Sequence, residues 1–397
     1  MKSKILLISI AVLILSFSGC IKKDDLQIQD IAVPDSSLTL KSVTLSGKYI
    51  VVLNDDANLK KSDFQSRNAG VKAKAYGLLK KYTISGDPEE VYETALQGFS
   101  IKMTPGQAKK LATDSDIKFV EPDQMVTLSP IVIKKKPGGD DGGSVSQTTP
   151  WGITRVGGGI SGIGKKVWII DTGVDLTHPD LTVDASLGKS FVPRVTSPND
   201  DNGHGSHVAG TIAAKNNTIG VIGVAAGATV VPVKVLDRKG SGAYSIVISG
   251  VNYVATVAAS GDVANMSLGG PVSDALDLAI INAAAKGIKF ALAAGNEASD
   301  ANLNSPARIN GTTIYTVSAM DNSDVFAYFS NYGNPPIDFA APGVSIYSTY
   351  KAGGYATLSG TSMAAPHVAG LLLLSIVQND GNVLNDPDGN ADPIAHH

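Results

Sequence analysis

Short apolar strand segments alternate with helical segments through most of the second half of the chain. Five runs have the length and apolar content of buried strands: 165–171, 229–236, 262–270, 288–296 and 313–320. Between them, 243–260 and 274–287 have the apolar spacing of helices. Strands that alternate with helices predict a parallel sheet covered on both faces. In such sheets the functional residues lie at the carboxyl ends of the strands.

Composition limits the class of protein further. The chain has 397 residues, of which 43% are hydrophobic and 17% charged, which suits one large domain and a smaller one. The net charge of −3 gives no indication of a nucleic-acid partner. From 146 onward there are 13 Lys and Arg against 19 Asp and Glu, a balance of −6, which leaves about +3 for the part before it. This charge difference is due either to chance or to an electrostatic attraction between the part before 146 and the part that follows it.

The N-terminus has the features of an export signal. A basic start is followed by an apolar run that is too short to span a bilayer comfortably, and then by small residues. We interpret 1–19 as a signal peptide and 20–46 as a polar tether. The run 17–20 resembles the lipobox of bacterial lipoproteins, in which the cysteine is lipidated, although Phe17 replaces the usual leucine. Cys20 is the single cysteine of the chain, so the alternative is an ordinary signal peptide that happens to contain one.

A small α+β domain is predicted over 47–127. Its segments predict strand, helix, strand, helix and strand, with the first helix over 60–81, and Thr104 with Pro105 marks the start of the second helix. Residues 128–145 are charged and glycine-rich, so we expect an exposed linker that proteases can cut, and place the maturation region there. The larger domain is then 146–397.

Three polar residues stand where strands end or helices begin. Asp171 closes the first apolar run, His204 opens a helix between two glycines, and Ser362 opens another helix. Each alone is weak evidence, because an aspartate or a serine often only caps a helix. Together they supply a nucleophile, a base and a carboxylate that orients the base. The setting of Ser362 is not the G-x-S-x-G pattern, because Ala364 replaces the second glycine, which argues against an esterase of another fold.

Two further histidines have weaker interpretations. A zinc site at His204-x-x-His207 has no glutamate or third ligand placed to complete it. His367 lies five residues after Ser362 in the same helical run, so we expect it to be a core histidine.

The segments at 171–175, 204–210 and 360–370 resemble the three signature segments of the subtilisin-like serine proteases. The likeness extends over about 147–378. It implies a three-layer α/β/α fold with a mainly parallel sheet, and an endopeptidase acting on proteins and peptides.

The same resemblance implies roles for individual residues. Asp171 would orient the base, His204 would be the general base and Ser362 the nucleophile. Asn296 would be the side-chain donor of the oxyanion hole, which stabilises the negative charge of the transition state.

The substrate would bind as an extended strand between two backbone segments. By the resemblance, these segments are Gly240, Ser241 and Gly242 on one side, and Ser267, Leu268 and Gly269 on the other. Tyr244 and Leu268 would form an apolar pocket for the fourth residue upstream of the cut. The walls of the primary pocket would be 267–269 and 293–295, including Gly295. Since no aspartate is evident there, we expect a large apolar or broad preference, with Glu297 at the rim.

The small domain resembles the inhibitor-like propeptide of this family, a ferredoxin-like fold. Such a propeptide assists folding and blocks the cleft with its C-terminal end, so the chain's own propeptide is an expected partner. Beyond 378 the sequence departs from the family, whose members continue through another helix and strands, so this end is expected to be either a short variant or a truncation.

A structural Ca²⁺ site is also implied by the resemblance, because 213–221 is similar to the family's calcium loop. The ligands would be the carbonyls of Lys215, Ile219 and Val221 and the side chains of Gln147, Asp180 and Asn217. Six oxygens with one carboxylate suit Ca²⁺. The alternative is a plain surface turn.

We therefore expect a monomeric, autoprocessed zymogen, held at the outer membrane or cell surface by a lipid on Cys20, whose mature domain is extracellular. The main alternative is a surface lipoprotein that kept the scaffold and lost catalysis.

Overall fold

The structure is a computed structural model that describes residues 43–128, 146–375 and 377–397. The predicted signal peptide, Cys20 and nearly all of the linker lie outside the described residues. Within these ranges, none of the helices has the length and apolar character needed to cross a membrane.

The small domain is a sheet with helices on one face. Its elements in chain order are β1 Val43–Leu53, α1 Ala57–Lys61, α2 Phe64–Lys81, β2 Glu90–Tyr92, β3 Gly98–Lys102, α3 Pro105–Leu111 and β4 Ile117–Thr127. β1 lies between β3 and β4 and is antiparallel to both. The strand begins at Val43, four residues before the predicted boundary, and β2 and the short helix α1 are additions to the predicted order. Three residues of β2 are too few for a sequence period to reveal.

The large domain contains the remaining elements. They are α4 Trp151–Arg155, β5 Ile160–Ser161, β6 Lys166–Asp171, β7 Thr182–Val183, β8 Lys189–Ser190, α5 His204–Ala213, β9 Ala225–Ala226, β10 Thr229–Lys234, β11 Ser241–Ala243, α6 Tyr244–Val257, β12 Val263–Met266, β13 Gly270–Pro271, α7 Asp274–Ala284, β14 Lys289–Ala293, β15 Asn304–Ser305, β16 Ile314–Met320, β17 Ile337–Pro342, β18 Ile346–Tyr350, β19 Gly354–Leu358, α8 Thr361–Leu373, β20 Gln378–Asn382 and β21 Pro393–His396.

The central sheet is mainly parallel, as predicted. Its order is β20-β21-β17-β16-β14-β12-β6-β10-β7, with β8 also on β10, and the pair β20–β21 is antiparallel. Successive residues of β6 enter different cores, which shows that both faces are covered. Trp168 and Ile170 pack with α6 and α7, whereas Val167 and Ile169 pack with α5 and α8. The expected three-layer α/β/α class is confirmed.

The last twenty residues complete the edge of this sheet. The sequence indicated only a shortened polar end, but β21 adds to β17 in parallel and β20 follows as the edge strand. Val383 and Ile394 are buried against Met320 and Phe326. Arg155, from α4, forms ion pairs with Asp324 and Asp380 at 2.8 and 2.9 Å, which fastens this end to the start of the domain.

Candidate active site

Asp171 is the last residue of β6 and is fully buried, at the carboxyl edge of the sheet. Its Oδ1 accepts the backbone N–H of Thr172 at 2.6 Å. Its two carboxylate oxygens lie 2.8 and 2.9 Å from Nδ1 of His204. A carboxylate on Nδ1 favours the tautomer with the proton on that nitrogen, which leaves the lone pair on Nε2.

His204 opens α5, and the glycine before it lets the helix begin there. Gly203 has a φ of 114°, in the left-handed region that disfavours side chains. A Cβ at this position would also lie 2.2 Å from the ring of Tyr350. The His204 side chain is 1% exposed, and its Nε2 has no hydrogen-bond partner among the described residues. A buried, unpaired basic nitrogen is what a general base requires before its partner arrives.

Ser362 lies in the first turn of α8, which packs against α5. Its Oγ donates to the carbonyl of Ser267 at 3.2 Å, and the hydroxyl of Ser267 donates back to the carbonyl of Ser362 at 2.8 Å. The structure thus brings Asp171 and His204 into contact but turns the Ser362 hydroxyl toward the wall of the cleft. In the structure the Ser362 hydroxyl is therefore bonded to Ser267 and not to His204 Nε2.

Asn296 follows β14 at the same edge of the sheet. Its Oδ1 accepts the N–H of Thr361 at 2.8 Å and the Thr361 hydroxyl at 3.1 Å, which fixes the amide plane. A Cβ on Gly360 would lie 3.6 Å from Asn296 Nδ2 and 3.7 Å from the backbone nitrogen of Ser362. The two donors therefore border one small space, into which the N-terminus of α8 also directs its positive end.

The predicted substrate segment forms β11, which carries a strand of the chain's own small domain. β4 pairs with it antiparallel, with Thr127 opposite Ser241 and Val126 opposite Gly242. The N–H of Leu128 donates to the carbonyl of Gly240 at 2.9 Å. The predicted partner, the propeptide, thus reaches the cleft with its C-terminal end.

Val126 lies near Tyr244, one of the two residues of the predicted apolar pocket: a Cβ on Gly270 would lie 2.8 Å from the Tyr244 hydroxyl and 3.6 Å from a methyl group of Val126. Val126, Tyr244 and Leu268 are all buried in one cluster. The Tyr244 hydroxyl donates to the carbonyl of Pro271 at 2.7 Å, which orients the ring, and burial raises the pKa of this phenol.

The primary pocket lies beyond Leu128. Four of its lining residues were not included by sequence reasoning: Thr127, Leu128, Gly270 and Thr361. The other lining residues are Ser267, Leu268, Gly269, Ala293, Ala294, Gly295, Asn296, Glu297, Asn304, Ala307 and Ser362. Glu297 Oε2 accepts from Asn331 Nδ2 at 2.8 Å, and the same amide group donates to the carbonyl of Ala294 at 3.0 Å. Asn331 is fully buried, and its two hydrogen bonds connect Glu297 at the rim of the pocket with Ala294 in its wall. No sequence signal distinguished it from other loop asparagines.

Acidic side chains of the small domain dock on two helices of the large one. Asp123 accepts the N–H of Ser245 at 3.1 Å and its hydroxyl at 2.6 Å, at the start of α6. Glu121 accepts the hydroxyl of Ser273 at 2.6 Å and the N–H of Ala275 at 3.3 Å, at the start of α7. Carboxylates are favourable at helix N-termini. Burial raises the pKa of Glu121 to about 7.

A second set of contacts lies along α6. Asn252 Oδ1 accepts the backbone N–H of Glu93, Thr94 and Ala95 at 3.2, 2.8 and 3.0 Å, and its Nδ2 donates to Glu93 Oε1 at 2.9 Å. Glu90 accepts from the Ser249 hydroxyl at 2.8 Å. Burial raises the pKa of both Glu90 and Glu93. Sequence reasoning missed this interface, because it depends on which helices meet the small domain.

The six residues of the implied calcium site gather around Asp180. This carboxylate is fully buried and accepts from Asn217 Nδ2 at 2.8 Å and from the N–H of Val221 at 3.0 Å. Gln147 Nε2 lies 2.8 Å from the carbonyl of Lys215 and 3.3 Å from that of Val221. The N–H of Ile219 donates to Asn217 Oδ1 at 2.7 Å.

These donors fit a hard cation. Two carbonyls already converge on one amide nitrogen of Gln147, and half a turn of that amide would present its oxygen instead. Asp180 has neutral donors around it, so a cation would offset its buried charge. In the described ranges no cluster of three or more His, Cys, Asp or Glu has metal-binding geometry, so a site here would depend on carbonyl and amide oxygens.

His207 and His367 lie in the core. His207 Nε2 lies 3.0 Å from the carbonyl of Ile346, and His367 Nδ1 lies 2.8 Å from that of Met363. Burial lowers the pKa of His207 to about 3 and that of His367 to about 4, so both are neutral at ordinary pH.

Comparison with known proteins defines the class. The sequence profile of the Subtilase family matches residues 162–386, and that of the Peptidase inhibitor I9 family matches 48–129. The chain belongs to the subtilase family of serine proteases and carries an inhibitor domain in front of the protease domain. The predicted family is thereby confirmed.

Individual relatives support the same assignment. The chain is 36% identical over 351 residues to the alkaline serine exoprotease A of Vibrio alginolyticus, covering 85% of this chain and 62% of that protein's length. It is 39% identical over 317 residues to the thermostable alkaline protease of Halalkalibacterium halodurans, covering 74% of this chain and 81% of that one. A crystal structure of a cold-adapted subtilisin-like serine proteinase superposes with a TM-score of 0.56 and 38% identity, covering 62% of this chain and 97% of that chain.

Proposed function

We propose that the chain is the precursor of an exported serine endopeptidase in which Ser362 is the nucleophile, His204 its base and Asp171 the group that orients the base. The observation that supports this most is the short contact between Asp171 and His204 Nδ1, which leaves Nε2 unpaired among the described residues. α5 and α8, which carry the base and the nucleophile in their first turns, pack against each other.

The reaction follows from this arrangement. Ser362 Oγ loses its proton to His204 Nε2 and adds to the carbonyl carbon of the substrate. The oxyanion that forms is stabilised by Asn296 Nδ2 and the N–H of Ser362. His204 then gives the proton to the leaving nitrogen, and water hydrolyses the acyl-enzyme in the same way. Asp171 stabilises the imidazolium throughout.

Subsites of the proposed enzyme are the segments that now bind the propeptide. A substrate strand would pair with Gly240, Ser241 and Gly242 in place of β4, and with 267–269 on its other side. The lack of an acidic residue deep in the primary pocket favours a large apolar or broad preference.

The test compares substitutions of two nearby serines, Ser359 and Ser362. Trypsin cuts after Lys134 and Lys135, but not readily after Lys136 because Pro137 follows it, and would separate the catalytic domain from the propeptide without relying on the domain's own activity. We expect Ser362→Ala to lower the turnover of a casein by about a million-fold, the size found in this family. Ser359→Ala is the matched control, because the Ser359 hydroxyl accepts from the N–H of Ser345 and takes no part in the reaction. A Ser362→Ala protein as active as Ser359→Ala would contradict the proposal, and wild type and both variants all being inactive would favour a scaffold without catalysis.

A calcium ion is part of the proposal. The side chains of Gln147, Asp180 and Asn217 and the carbonyls of Lys215, Ile219 and Val221 would hold it. When bound, the ion would stabilise the folded domain.

Membrane attachment is proposed from Cys20. A lipid there would anchor the propeptide covalently, while the catalytic domain would be released once the linker is cut and the propeptide has left. We expect the Ser362→Ala chain to remain full length in the membrane fraction and the wild-type domain to appear in the medium. A processed wild-type domain that stayed in the membrane fraction would show another anchor.

A further inference from the structure

A second buried carboxylate lies between the segments that carry Asp171 and His204. Asp200 is 3% exposed, and its two oxygens accept from five donors among the described residues. The fifth of these is the hydroxyl of Thr172, the residue that follows Asp171, at 2.9 Å. The other four lie before His204 or in the first turn of α5: the N–H groups of Asn202, Gly203 and Ser206, at 2.9, 2.8 and 2.9 Å, and the hydroxyl of Ser206, at 2.7 Å. The loop before the base and the end of β6 therefore meet on one carboxylate.

The Thr172 hydroxyl completes the connection between the two segments. It donates to Asp200 and accepts the N–H of Gly205, the residue after His204, at 2.9 Å. The residue after the orienting carboxylate is thus bonded to the residue after the base, and both are bonded to the region around Asp200. The relative position of Asp171 and His204 is therefore set by their chain neighbours as well as by the bond between their own side chains.

Lys234 connects the same two segments from the side of β10. It is fully buried and lies opposite Asp171 in the parallel pair of β10 and β6. Its Nζ donates to the carbonyl of Thr172 at 2.6 Å and to Asp201 Oδ1 at 2.7 Å. A buried ammonium needs such partners, because it has lost its hydration. The end of β6 is therefore held to the loop before His204 by a cation in addition to the carboxylate of Asp200.

The bonds of Asp200 exceed what a helix cap needs. A cap accounts for the bonds to Gly203 and Ser206, but Thr172 lies outside α5 and its bond caps nothing. An ionised carboxylate accepts on two oxygens, whereas an amide has one oxygen and two N–H donors. In Asp200→Asn the amide nitrogen would face groups that already donate, whichever way it turned, and would leave buried donors without an acceptor. We expect the loop to shift as a result, and His204 with it.

We infer that Asp200 is a positioning residue of the proposed active site, which holds His204 Nδ1 against Asp171 by joining Thr172 to the first turn of α5. Its effect on catalysis rests on the proposed function, whereas the contact that it holds can be measured without turnover. The proposed substrate segments, 240–242 and 267–269, belong to other parts of the chain. A displaced base should therefore lower kcat and leave KM unchanged.

The first measurement follows the contact itself in the full-length chain. With isotope-labelled histidine, the Nδ1 proton that His204 donates to Asp171 is identified by NMR as the downfield resonance that is absent from His204→Gln. We expect this resonance to move upfield or to broaden in Asp200→Asn, because the hydrogen bond lengthens when the loop shifts. The propeptide stays in place during this measurement.

Asp175→Asn is the matched control. Asp175 is a buried aspartate of the same region, and its carboxylate accepts from the N–H and hydroxyl of Thr177, both at 3.0 Å, and from the N–H of Gly353 at 2.8 Å. Its loss disturbs a buried carboxylate without touching the bonds between Thr172 and α5. This variant should keep the wild-type resonance of His204.

The second measurement is the turnover of casein by the trypsin-separated chains. A displacement of about 1 Å costs about a hundred-fold in rate, so we expect kcat of Asp200→Asn to fall by about that factor and KM to stay the same. Asp175→Asn should keep the wild-type kcat. Thr172→Val retains the shape of the side chain but loses the hydroxyl, so it should shift the same resonance and lower kcat less. It is the deciding variant if the melting temperature shows that Asp200→Asn does not fold.

Two results would overturn the inference. One is a His204 resonance that is the same in Asp200→Asn and Thr172→Val as in Asp175→Asn, since the contact would then persist without Asp200. The other is a folded Asp200→Asn protein with the same kcat as Asp175→Asn while wild type is active. Failure of the proposed function looks different: wild type would be inactive on casein, although the resonance still moved in Asp200→Asn.

Discussion

At the residue scale, Glu121 is the group whose titration most directly connects the two domains. Docking at the start of α7 buries it and raises its pKa from 4.5 to about 7. The free propeptide would expose this carboxyl, so the docked state binds a proton that the separated state has lost. Because docking raises the pKa of Glu121, the affinity of the propeptide for the protease is highest below about pH 4.5 and falls as the pH rises toward about 7.

We therefore predict that the titration of Glu121 alone weakens propeptide affinity by up to about tenfold per pH unit over that window, in addition to any contribution from Glu90 and Glu93, whose pKa burial also raises. The measurement is the dissociation constant of the cut propeptide from the Ser362→Ala protease between pH 4.5 and 8. Glu121→Gln keeps an oxygen that can accept from Ser273 and Ala275 but does not titrate. The slope of the logarithm of the dissociation constant against pH should therefore be smaller for this variant, by the one proton that Glu121 contributes. Glu89→Gln, which removes a carboxyl paired with Lys48 and Lys102 inside the small domain, is the control. An unchanged slope in Glu121→Gln would show that the pH dependence of docking comes from another group and not from Glu121.

At the element scale, the sequence predicted what local periodicity controls. The strand β6 that ends at Asp171, the strand β14 that precedes Asn296, and the helices that carry His204 and Ser362 in their first turns follow from apolar runs bounded by glycine. The pairing of β4 with β11 and the hairpin of β18 and β19 join segments that local patterns do not relate, so they were not predicted. The edge strands β20 and β21 were also not predicted from the sequence. β20 is exposed along its whole length and has no apolar period that would mark it as a strand.

The same distinction applies to the helices of the small domain. The sequence suggested one helix through 60–81, but the structure ends α1 at Lys61 and begins α2 at Phe64. Asp63 accepts the N–H of Ser66 and acts as a new N-cap. Aspartate is a preferred N-cap residue, so its position inside the predicted helix could have indicated that a new helix begins there. The rotamer of Ser362, in contrast, depends on the carbonyl of Ser267, which is 95 residues away in the chain.

At the scale of the whole molecule, the proposed calcium site joins the start of the catalytic domain to its interior. Gln147 and the loop of Lys215 to Val221 close around Asp180, so a cation bound there would stabilise the folded state and have no comparable site in the unfolded chain. At a concentration a hundred times the dissociation constant, the gain is about 2.7 kcal/mol. The melting temperature of the Ser362→Ala chain should rise with calcium and fall with EGTA, and Asp180→Asn should remove most of this response. A melting temperature that EGTA leaves unchanged would contradict the site.

The proposed mechanism depends most on Ser362 being the nucleophile. The direct measurement is to treat the trypsin-freed wild-type domain with a fluorophosphonate and locate the adduct by mass spectrometry. We predict one adduct, on Ser362, that is absent from Ser362→Ala and that forms more slowly when His204 is replaced by alanine. No adduct, or an adduct on another serine that persists in Ser362→Ala, would contradict the proposed mechanism.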